Sequence, residues 1–359
     1  MNLFERISSE QKIFKNEEAL MPDFIPVEIN NRENEIKEIA TSINALIKGR
    51  KGENLFLIGP PGTGKTCCSK YILNELGEHT QRVLPIYINC WEHSSRFVIL
   101  GLIARETGMV IPRRGVSIDE ITDRLIEGFK KSKYKGMVIV LDEIDRLFIS
   151  KEEEAKVLYD LSRAKENFGI NTSIICISNS KNVLVKLDNR IRSSLSPRSL
   201  EFRPYSPTAL KNILNQRAKL AFFPGALEDE VIPLCAAIGL NHGGDARVSI
   251  NALWKAGKDA ESKDQKKVYI KNVENIKEKD GLGKILDYSI FSKKEKKILN
   301  IIQVEKEIKT NELYKRLRAK ESAKRTVRNY LKGFEKRGII RIEKIEGKGN
   351  KRKIIFIGE

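Results

Sequence analysis

The chain has 359 residues, 40% of them hydrophobic, and carries a formal net charge of +18. This length and apolar content are typical of two or three folded domains and exclude an intrinsically disordered protein. No apolar run approaches the roughly 18 residues of a membrane span, and the charged start at 1–20 is unlike a signal peptide, so we expect no membrane contact. The five cysteines lack the spacing of a disulfide framework or a zinc site, so we expect reduced thiols.

Five short apolar runs alternate with amphipathic stretches in the first 200 residues. The runs lie at 55–59, 83–89, 137–141, 174–178 and, more weakly, 199–202. Four of them are rich in Val, Ile and Leu, as expected for strands that are buried on both faces of a parallel sheet. The stretches 33–49 and 152–169 have a helical pattern and end at glycine, which readily caps a helix. This alternation predicts an α/β domain with a parallel sheet.

A glycine-rich segment, GPPGTGKT at 59–66, follows the first run and precedes a helical pattern. It fits G-x-x-x-x-G-K-[ST], in which backbone N–H groups and a helix N-terminus surround phosphate groups. Lys65 is expected to reach the β- and γ-phosphates, and the Thr66 hydroxyl to bind Mg²⁺. We predict nucleotide contacts for Gly59, Pro60, Pro61, Gly62, Thr63, Gly64, Lys65, Thr66 and Cys67.

Acidic and amide side chains follow two of the other runs. Asp142 and Glu143 end the segment MVIVLDE, and Asn179 directly follows TSIICIS. Because ligands of α/β sheets bind at the carboxyl ends of strands, Asp142 is predicted to hold Mg²⁺ and Glu143 to polarise the attacking water. The Asn179 amide can hydrogen-bond both that water and the γ-phosphate. We therefore predict that Asn179 distinguishes bound ATP from bound ADP.

Helical patterns without a convincing strand occupy 208–279, and a strongly basic segment ends the chain. Residues 288–359 contain 22 Lys and Arg against 9 Asp and Glu, a net charge of +13, which indicates a polyanion-binding module. Three helical patterns there precede two β-branched runs that flank EGKGNKRK. The helices are predicted at 291–303, 310–317 with Thr310 at its cap, and 322–338 with Ser322 at its cap, and the strands at 339–345 and 353–357.

This order of elements predicts a winged helix, whose third helix enters the major groove of DNA while its wing contacts the backbone or minor groove. Val327, Leu331 and Phe334 fall on one face of the third helix, and polar residues fall on the opposite face. Winged helices also mediate protein contacts, an alternative that the local charge disfavours. The predicted DNA contacts are Lys324, Arg325, Arg328 and Asn329 on the helix and Lys348, Lys351 and Arg352 at the wing tip.

The succession of GPPGTGKT, LDEID, ISNS and HGGDARVSI resembles that of AAA+ ATPases. The resemblance implies an AAA+ P-loop domain with a parallel sheet, followed by an all-α lid and then the winged helix. It also implies binding of ATP or ADP with Mg²⁺, and a contact between Arg247 of the lid and the γ-phosphate. Judged from the residues alone, Arg247 could equally form a surface ion pair.

Three further segments resemble archaeal replication initiators of the origin-recognition-complex and cell-division-control type. The first, IPVEINNRENEIKEIA at 25–40, resembles the segment that lies on the adenine side of the nucleotide in that family. The second, ETGMVIPRRGVSIDEITDRL at 106–125, resembles the initiator-specific helical insertion. The third, LDNRIRSSLSPRSLEFRPYSPTAL at 187–210, resembles the family's segment before the lid. The resemblance places Arg32 at the nucleotide and Arg113 and Arg114 on DNA phosphate or in the minor groove, against the alternative of a solvated loop.

The segment before the lid departs from the pattern of the eukaryotic relatives, which have Ser-Arg where this chain has Ser193 and Ser194. Arg190 and Arg192 are the candidates for an arginine that reaches the nucleotide of a neighbouring subunit. Pairing of either one with nearby Asp188, or with solvent, is the alternative.

The resemblance implies an ATP-dependent initiator that binds double-stranded origin DNA and helps load the minichromosome maintenance helicase, with weak, slow ATP hydrolysis as a switch. A paralogous initiator is a further candidate partner, and the location implied is cytoplasmic and nucleoid-associated. An ATP-controlled winged-helix transcription regulator and a clamp-loader or remodelling ATPase stay open as alternatives. The expected domains are a nucleotide-binding base at 1–203, a helical lid at 204–280 and the winged helix at 281–359.

Overall fold

The apolar runs of the first 200 residues form the strands of one parallel sheet. The strands are β1 (Leu55–Ile58), β2 (Val83–Asn89), β3 (Gly136–Asp142), β4 (Asn171–Ser178) and β5 (Arg198–Glu201). Their order across the sheet is β2-β3-β4-β1-β5. Every residue of β1, β3 and β4 is buried, as expected where helices cover both faces of a parallel sheet. The five predicted strands and the α/β class are confirmed.

The computed structural model describes residues 13–112, 115–150, 152–180, 182–279, 292–305, 307–317, 321–336, 340–344 and 352–356. The chain divides into two units, residues 1–254 and 255–359. The domain limits expected at 203/204 and 280/281 stay a prediction.

The register of the strands gathers their carboxyl ends at one edge of the sheet. Asn89 of β2 lies opposite Asp142 of β3, and Ile58 of β1 lies opposite Ser178 of β4. The glycine-rich segment therefore leaves β1 beside the residues that follow β3 and β4. This edge carries the candidate site.

Helices connect the strands and pack on the sheet. They are α1 (Glu33–Ile47), α2 (Lys65–His79), α3 (Arg96–Glu106), α4 (Ile118–Lys131), α5 (Leu147–Ser150), α6 (Glu152–Ser162), α7 (Ala164–Phe168), α8 (Val183–Lys186) and α9 (Asn189–Leu195), with 3-10 turns at Glu17–Leu20 and Ile144–Arg146. One buried cluster joins α1 and α2 to the sheet, and a second joins α3, α4 and α6 to it. The single helix predicted at 152–169 is two helices, because the backbone of Arg163 (φ −100°, ψ 11°) interrupts it.

Four longer helices follow the sheet, as the helical patterns of 208–279 predict. They are α10 (Pro207–Ala221), α11 (Val231–Asn241), α12 (Ala246–Ser262) and α13 (Ile270–Lys279). The start of α10 is fixed locally, because Ser206 accepts a hydrogen bond from the Ala209 backbone N–H at 3.2 Å and Pro207 occupies the first turn. No helix within the described part of the chain has both the length and the apolar character that crossing a membrane requires.

The basic end of the chain contains three helices and a three-stranded antiparallel sheet. The elements are α14 (Lys293–Glu305), β6 (Glu307–Lys309), α15 (Thr310–Arg316), α16 (Glu321–Lys336), β7 (Ile340–Lys344) and β8 (Arg352–Phe356). β6 pairs with β8 and was not predicted, since three residues carry too little periodicity to be recognised. α16 begins at Glu321, so Ser322 lies inside the helix rather than at its cap.

The apolar face predicted for α16 is buried. Val327, Leu331 and Phe334 are each less than a tenth exposed and join one cluster with Leu313 of α15 and Ile354 of β8. Asn329 and Lys332 lie on the exposed side of the same helix. The helix therefore presents a polar face to solvent, while its apolar face packs against the three-stranded sheet.

Candidate functional site

The glycine-rich segment forms a loop between β1 and α2. Gly62 (φ 70°) and Gly64 (φ 91°) have left-handed backbone, which glycine adopts without strain. Gly64 is the residue that caps α2, and Lys65 begins the helix. The backbone N–H groups of the first turn of α2 and its positive helix end are therefore available to an anion, as the sequence pattern predicts.

Lys65 is buried at the base of this loop, with 5% of its surface exposed. Its Nζ donates hydrogen bonds to the carbonyl oxygens of Gly59 (2.7 Å) and Pro60 (2.8 Å) and to Oδ1 of Asn179 (2.9 Å). Burial lowers the pKa of Lys65 to about 8, against the opposing effect of Asp142. These three partners are neutral, so within the described part of the chain the ammonium group has no carboxylate in direct contact, which favours binding of a phosphate.

The Thr66 hydroxyl and the Asp142 carboxylate meet at 2.6 Å, where Thr66 Oγ1 donates to Asp142 Oδ2. Asp142 is buried (4% exposed) and also accepts a hydrogen bond from the Glu143 backbone N–H at 2.8 Å. One hydroxyl and one carboxylate are hard oxygen donors of the kind that Mg²⁺ uses together with nucleotide phosphates and water. Among the described residues, no group of three or more Asp, Glu, His or Cys side chains is placed so that it could hold a metal ion. The donors present thus fit Mg²⁺ bound together with a nucleotide.

Glu143 and Asn179 face each other across the loop. The Asn179 amide donates to both carboxylate oxygens of Glu143 at 3.2 Å, while its own Oδ1 accepts from Lys65. Glu143 has left-handed backbone (φ 55°), an uncommon conformation for a residue other than glycine. One amide therefore connects the carboxylate that is predicted to polarise water with the lysine that is predicted to hold phosphate.

A cavity of about 890 Å³ extends from this loop to the residues before α1. Besides the loop, Asp142, Glu143 and Asn179, its lining includes a set of apolar side chains that suit a nucleobase. These apolar residues are Leu20, Met21, Phe24, Ile25, Pro26, Ile29, Ile213, Ile250 and Trp254.

The start of α12 closes one side of the cavity. The Ala246 backbone N–H donates to the Gly62 carbonyl at 3.2 Å, and the Asp245 carboxylate lies so close to Gly62 that a Cβ there would overlap it. Arg247 lines the cavity, has a mostly exposed side chain and pairs with Asp245 at 3.1 Å. The ion pair that was the alternative role for Arg247 is therefore present. The partner of Arg247 in this pair is Asp245, which also contacts the phosphate loop at Gly62.

Comparison with known proteins gives matches along most of the chain. Residues 48–180 match the family model of an AAA domain, and residues 211–278 match that of a Cdc6 AAA+ ATPase-type lid domain. The ORC1-type DNA replication protein of Pyrococcus abyssi is 38% identical over 286 residues, which cover 77% of this chain and 68% of that protein. The chain belongs to the ORC1-type DNA replication proteins. The predicted family is thereby confirmed.

Solved structures agree with this ORC1-type assignment. The structure of the Aeropyrum pernix ORC1 protein in complex with DNA matches with a TM-score of 0.69 at 28% identity, covering 98% of this chain and 95% of that one. The Aeropyrum pernix ORC2 protein (ADPNP-ADP complexes) shares the fold with a TM-score of 0.74 at 21% identity, over 96% of this chain and 94% of that one. The predicted AAA+ domain and lid are therefore present in this ORC1-type chain.

Arg32 lies behind the phosphate loop of this ORC1-type protein rather than in the cavity, where it was predicted. Its Nε donates to the Thr63 carbonyl at 3.1 Å, and its Nη1 pairs with Glu35 at 2.6 Å. The Arg32 guanidinium also stacks over the ring of Tyr205, 4.2 Å from its centroid. Its donors are directed at the back of the loop and at Glu35, so Arg32 supports the loop, and its contact with the nucleotide stays a prediction.

Several residues that line the site were not predicted. Arg217 of α10 is buried, lines the cavity and donates to the carbonyl oxygens of Ala19 and Phe24 at 3.0 Å. Burial lowers its pKa. Trp254 of α12 lines the apolar part and donates through Nε1 to Glu17 at 2.7 Å. Neither residue belongs to a motif, and an arginine inside a helical pattern normally indicates an exposed face.

The predicted DNA contacts fall into three groups. Arg113, Arg114, Lys348 and Lys351 lie outside the described residues. Arg325 belongs to α16 and Arg352 to β8, but their side chains are also outside the described part. Lys324, Arg328 and Asn329 lie on α16, where Arg328 and Asn329 are exposed and Lys324 is partly exposed, with its Nζ 5.8 Å from the ring centroid of Tyr314. These assignments stay predictions.

Arg190 and Arg192, the candidates for an inter-subunit arginine, are both exposed on α9. Arg192 donates to Asn189 Oδ1 at 3.1 Å. Asp188 does not pair with the side chain of either arginine; its carboxylate caps α9 by accepting from the Arg190 backbone N–H at 2.7 Å. Both guanidinium groups are therefore accessible at the surface, and the choice between them stays open.

Binding of ADP is expected to weaken as the pH rises above about 8, the pKa of Lys65. Above that pH the free protein holds Lys65 neutral, so binding a phosphate there must take up a proton, and affinity falls by up to about tenfold per pH unit. Calorimetric titration at about pH 9 in two buffers of different ionisation enthalpy should give an uptake approaching one proton per ADP bound. Binding without proton uptake at that pH would contradict the pKa.

Proposed function

We propose that this protein is an ATP-controlled initiator of DNA replication, which binds double-stranded origin DNA and helps load the replicative helicase. The observation that carries the proposal is the contact between the start of α12 and the phosphate loop, where Asp245 and Ala246 meet Gly62 in an ORC1-type chain. A nucleotide in the cavity would lie between these two elements, so its phosphates can set the position of the lid. This arrangement suits a switch better than a motor.

The chain's own residues divide the nucleotide chemistry between them. Lys65 and the loop N–H groups would bind the phosphates, while Thr66 and Asp142 would hold a Mg²⁺, which would neutralise phosphate charge. Glu143 accepts a proton from the attacking water, and Asn179 orients that water and reports the γ-phosphate. Arg247 exchanges its ion pair with Asp245 for the γ-phosphate. Because this exchange and the release of Glu143 by Asn179 must both precede hydrolysis, we expect slow turnover.

The DNA side of the proposal rests on the basic end and on the relative that was solved with DNA. The Aeropyrum pernix ORC1 protein is in complex with DNA and aligns over 98% of this chain. We propose that residues 281–359 form a winged helix, that α16 enters the major groove through its exposed face, and that Arg352 contacts the backbone beside it. Arg113 and Arg114, between α3 and α4, would add a second contact to phosphate or the minor groove.

The remaining parts of the proposal concern partners and location. We propose the minichromosome maintenance helicase as the protein that is recruited, a paralogous initiator as a neighbour on the DNA, and a cytoplasmic, nucleoid-associated location. An exposed arginine on α9, Arg190 or Arg192, would reach the nucleotide of such a neighbour.

Footprinting over genomic DNA with ATP, with ADP and without nucleotide tests the proposed function. We expect protection of a few discrete repeats at an origin, with a pattern that differs between ATP and ADP, and added helicase should be retained on the ATP-bound complex. Protection of promoters with no retention of helicase would instead support the winged-helix transcription regulator. Uniform protection of all DNA would contradict both functions.

A further inference from the structure

Tyr87 is an additional partner of the Asp142 carboxylate. It lies on β2, one strand away from Asp142, and its hydroxyl donates to Asp142 Oδ2 at 2.9 Å. The carboxylate oxygen that accepts from Thr66 therefore also accepts from Tyr87. No sequence motif marks Tyr87, whose position inside an apolar strand indicates only a residue of the core.

The three hydrogen bonds to Asp142 define how its carboxylate is oriented. Oδ1 accepts from the Glu143 backbone N–H and Oδ2 from Thr66 and Tyr87. The Thr66 hydroxyl is also a predicted metal ligand, and it can bind Mg²⁺ through an oxygen lone pair while it still donates to Oδ2, whereas Tyr87 has no such second role. Tyr87 is thus the side chain that orients Oδ2 without also being a predicted ligand of the metal.

The ring of Tyr87, as distinct from its hydroxyl, is held in place by packing contacts. It packs against the buried cluster of α1, α2 and the sheet, and Lys70 Nζ lies 4.5 Å from its ring centroid, within the range of a cation–π contact. Lys70 belongs to α2, the helix that starts at the phosphate loop, and the cluster includes residues of the sheet beneath that helix. The hydroxyl is therefore fixed relative to the site.

We propose that Tyr87 is a positioning residue for the metal, which keeps the Asp142 carboxylate oriented toward Mg²⁺ and so sets the affinity for the Mg²⁺–nucleotide complex. The inference rests on the proposed nucleotide site and adds to it a residue that acts only through Asp142. Partners of this kind typically change metal affinity by about 10- to 100-fold.

The test is Tyr87→Phe, which removes one hydroxyl and leaves the ring. Binding of a fluorescent ADP analogue is titrated in EDTA and then against Mg²⁺ concentration. We expect affinity in EDTA to equal that of the wild type, and the Mg²⁺ concentration that gives half the metal-dependent gain to rise about tenfold. The matched control is Tyr71→Phe, the same change at a residue on α2 that packs against the same cluster and should leave both quantities unchanged.

The outcomes separate this inference from the proposed function. If Thr66→Ala raises the Mg²⁺ requirement while Tyr87→Phe does not, the inference is wrong and the nucleotide site stands. A loss of affinity for Tyr87→Phe in EDTA equal to the loss in Mg²⁺ would show a structural role and also overturn it. Failure of the wild-type protein to bind ADP at all would instead overturn the proposed function.

Discussion

Replacing Glu143 by glutamine is expected to leave ATP bound and to slow its hydrolysis by about 10²- to 10⁴-fold, the usual contribution of a general base. The substitution removes the negative charge that accepts a proton from water but keeps the size of the side chain. Lys65, Thr66 and Asp142, which are predicted to hold the phosphates and the metal, are unchanged. The expected result is therefore a protein arrested in its ATP state.

The hydrogen bonds from Asn179 to Glu143 determine how the substitution should change ATP affinity. In the wild type the Asn179 amide donates to both Glu143 oxygens, and a glutamine would offer only one acceptor oxygen. Asn179 should then be freer to turn to the γ-phosphate, so ATP affinity is expected to be equal or somewhat higher. Single-turnover hydrolysis and equilibrium binding measured on the same preparation distinguish the two effects.

The matched control is Glu92→Gln, which makes the same chemical change just beyond the end of β2. Glu92 accepts from Asn89 at 3.2 Å and does not line the cavity. We expect wild-type hydrolysis for this control. Equal hydrolysis by the Glu143 variant and the control would remove Glu143 from its proposed role.

The sheet could be predicted because its signal is local. Strands buried on both faces need continuous apolar runs, and four of the five runs are dense in Val, Ile and Leu. The features that were missed depend on contacts or are too short. β6 has three residues and exists because β8 pairs with it, and the break at Arg163 interrupts a pattern whose periodicity continues on both sides.

The residues of the site likewise fall into some that could be predicted from the sequence and some that could not. The loop, Asp142, Glu143 and Asn179 follow from motif and strand order, because every parallel strand ends at the same edge. Asp245, Tyr87 and Arg217 could not be predicted, since each acts through a partner more than 40 residues away in the chain: Gly62, Asp142 and Ala19, respectively. For Arg32, the resemblance indicated a position near the nucleotide, but its contacts with the Thr63 carbonyl and Glu35 could not be inferred from the motif.

Replacing Arg328 by alanine is expected to weaken binding to origin DNA by about 1–3 kcal/mol and to relax sequence preference at one base position. Arg328 is exposed on α16, about 90° around the helix axis from the face formed by the buried Val327, Leu331 and Phe334. Within the described residues its guanidinium has no ion-pair partner that binding would have to break. An arginine placed in this way in the major groove can read guanine with two hydrogen bonds.

The salt dependence of binding distinguishes base reading from simple charge attraction. Arg352→Ala, in the proposed wing, should weaken all DNA sequences equally and reduce the slope of log affinity against log salt by about 1. Lys297→Ala is the matched control, because it removes one exposed positive charge from α14, which is neither the proposed recognition helix nor the wing. If Arg328→Ala and Lys297→Ala had the same small effect on every sequence, α16 would not be the recognition helix. A specific loss for Arg328 alone would mean that the basic end selects the DNA site.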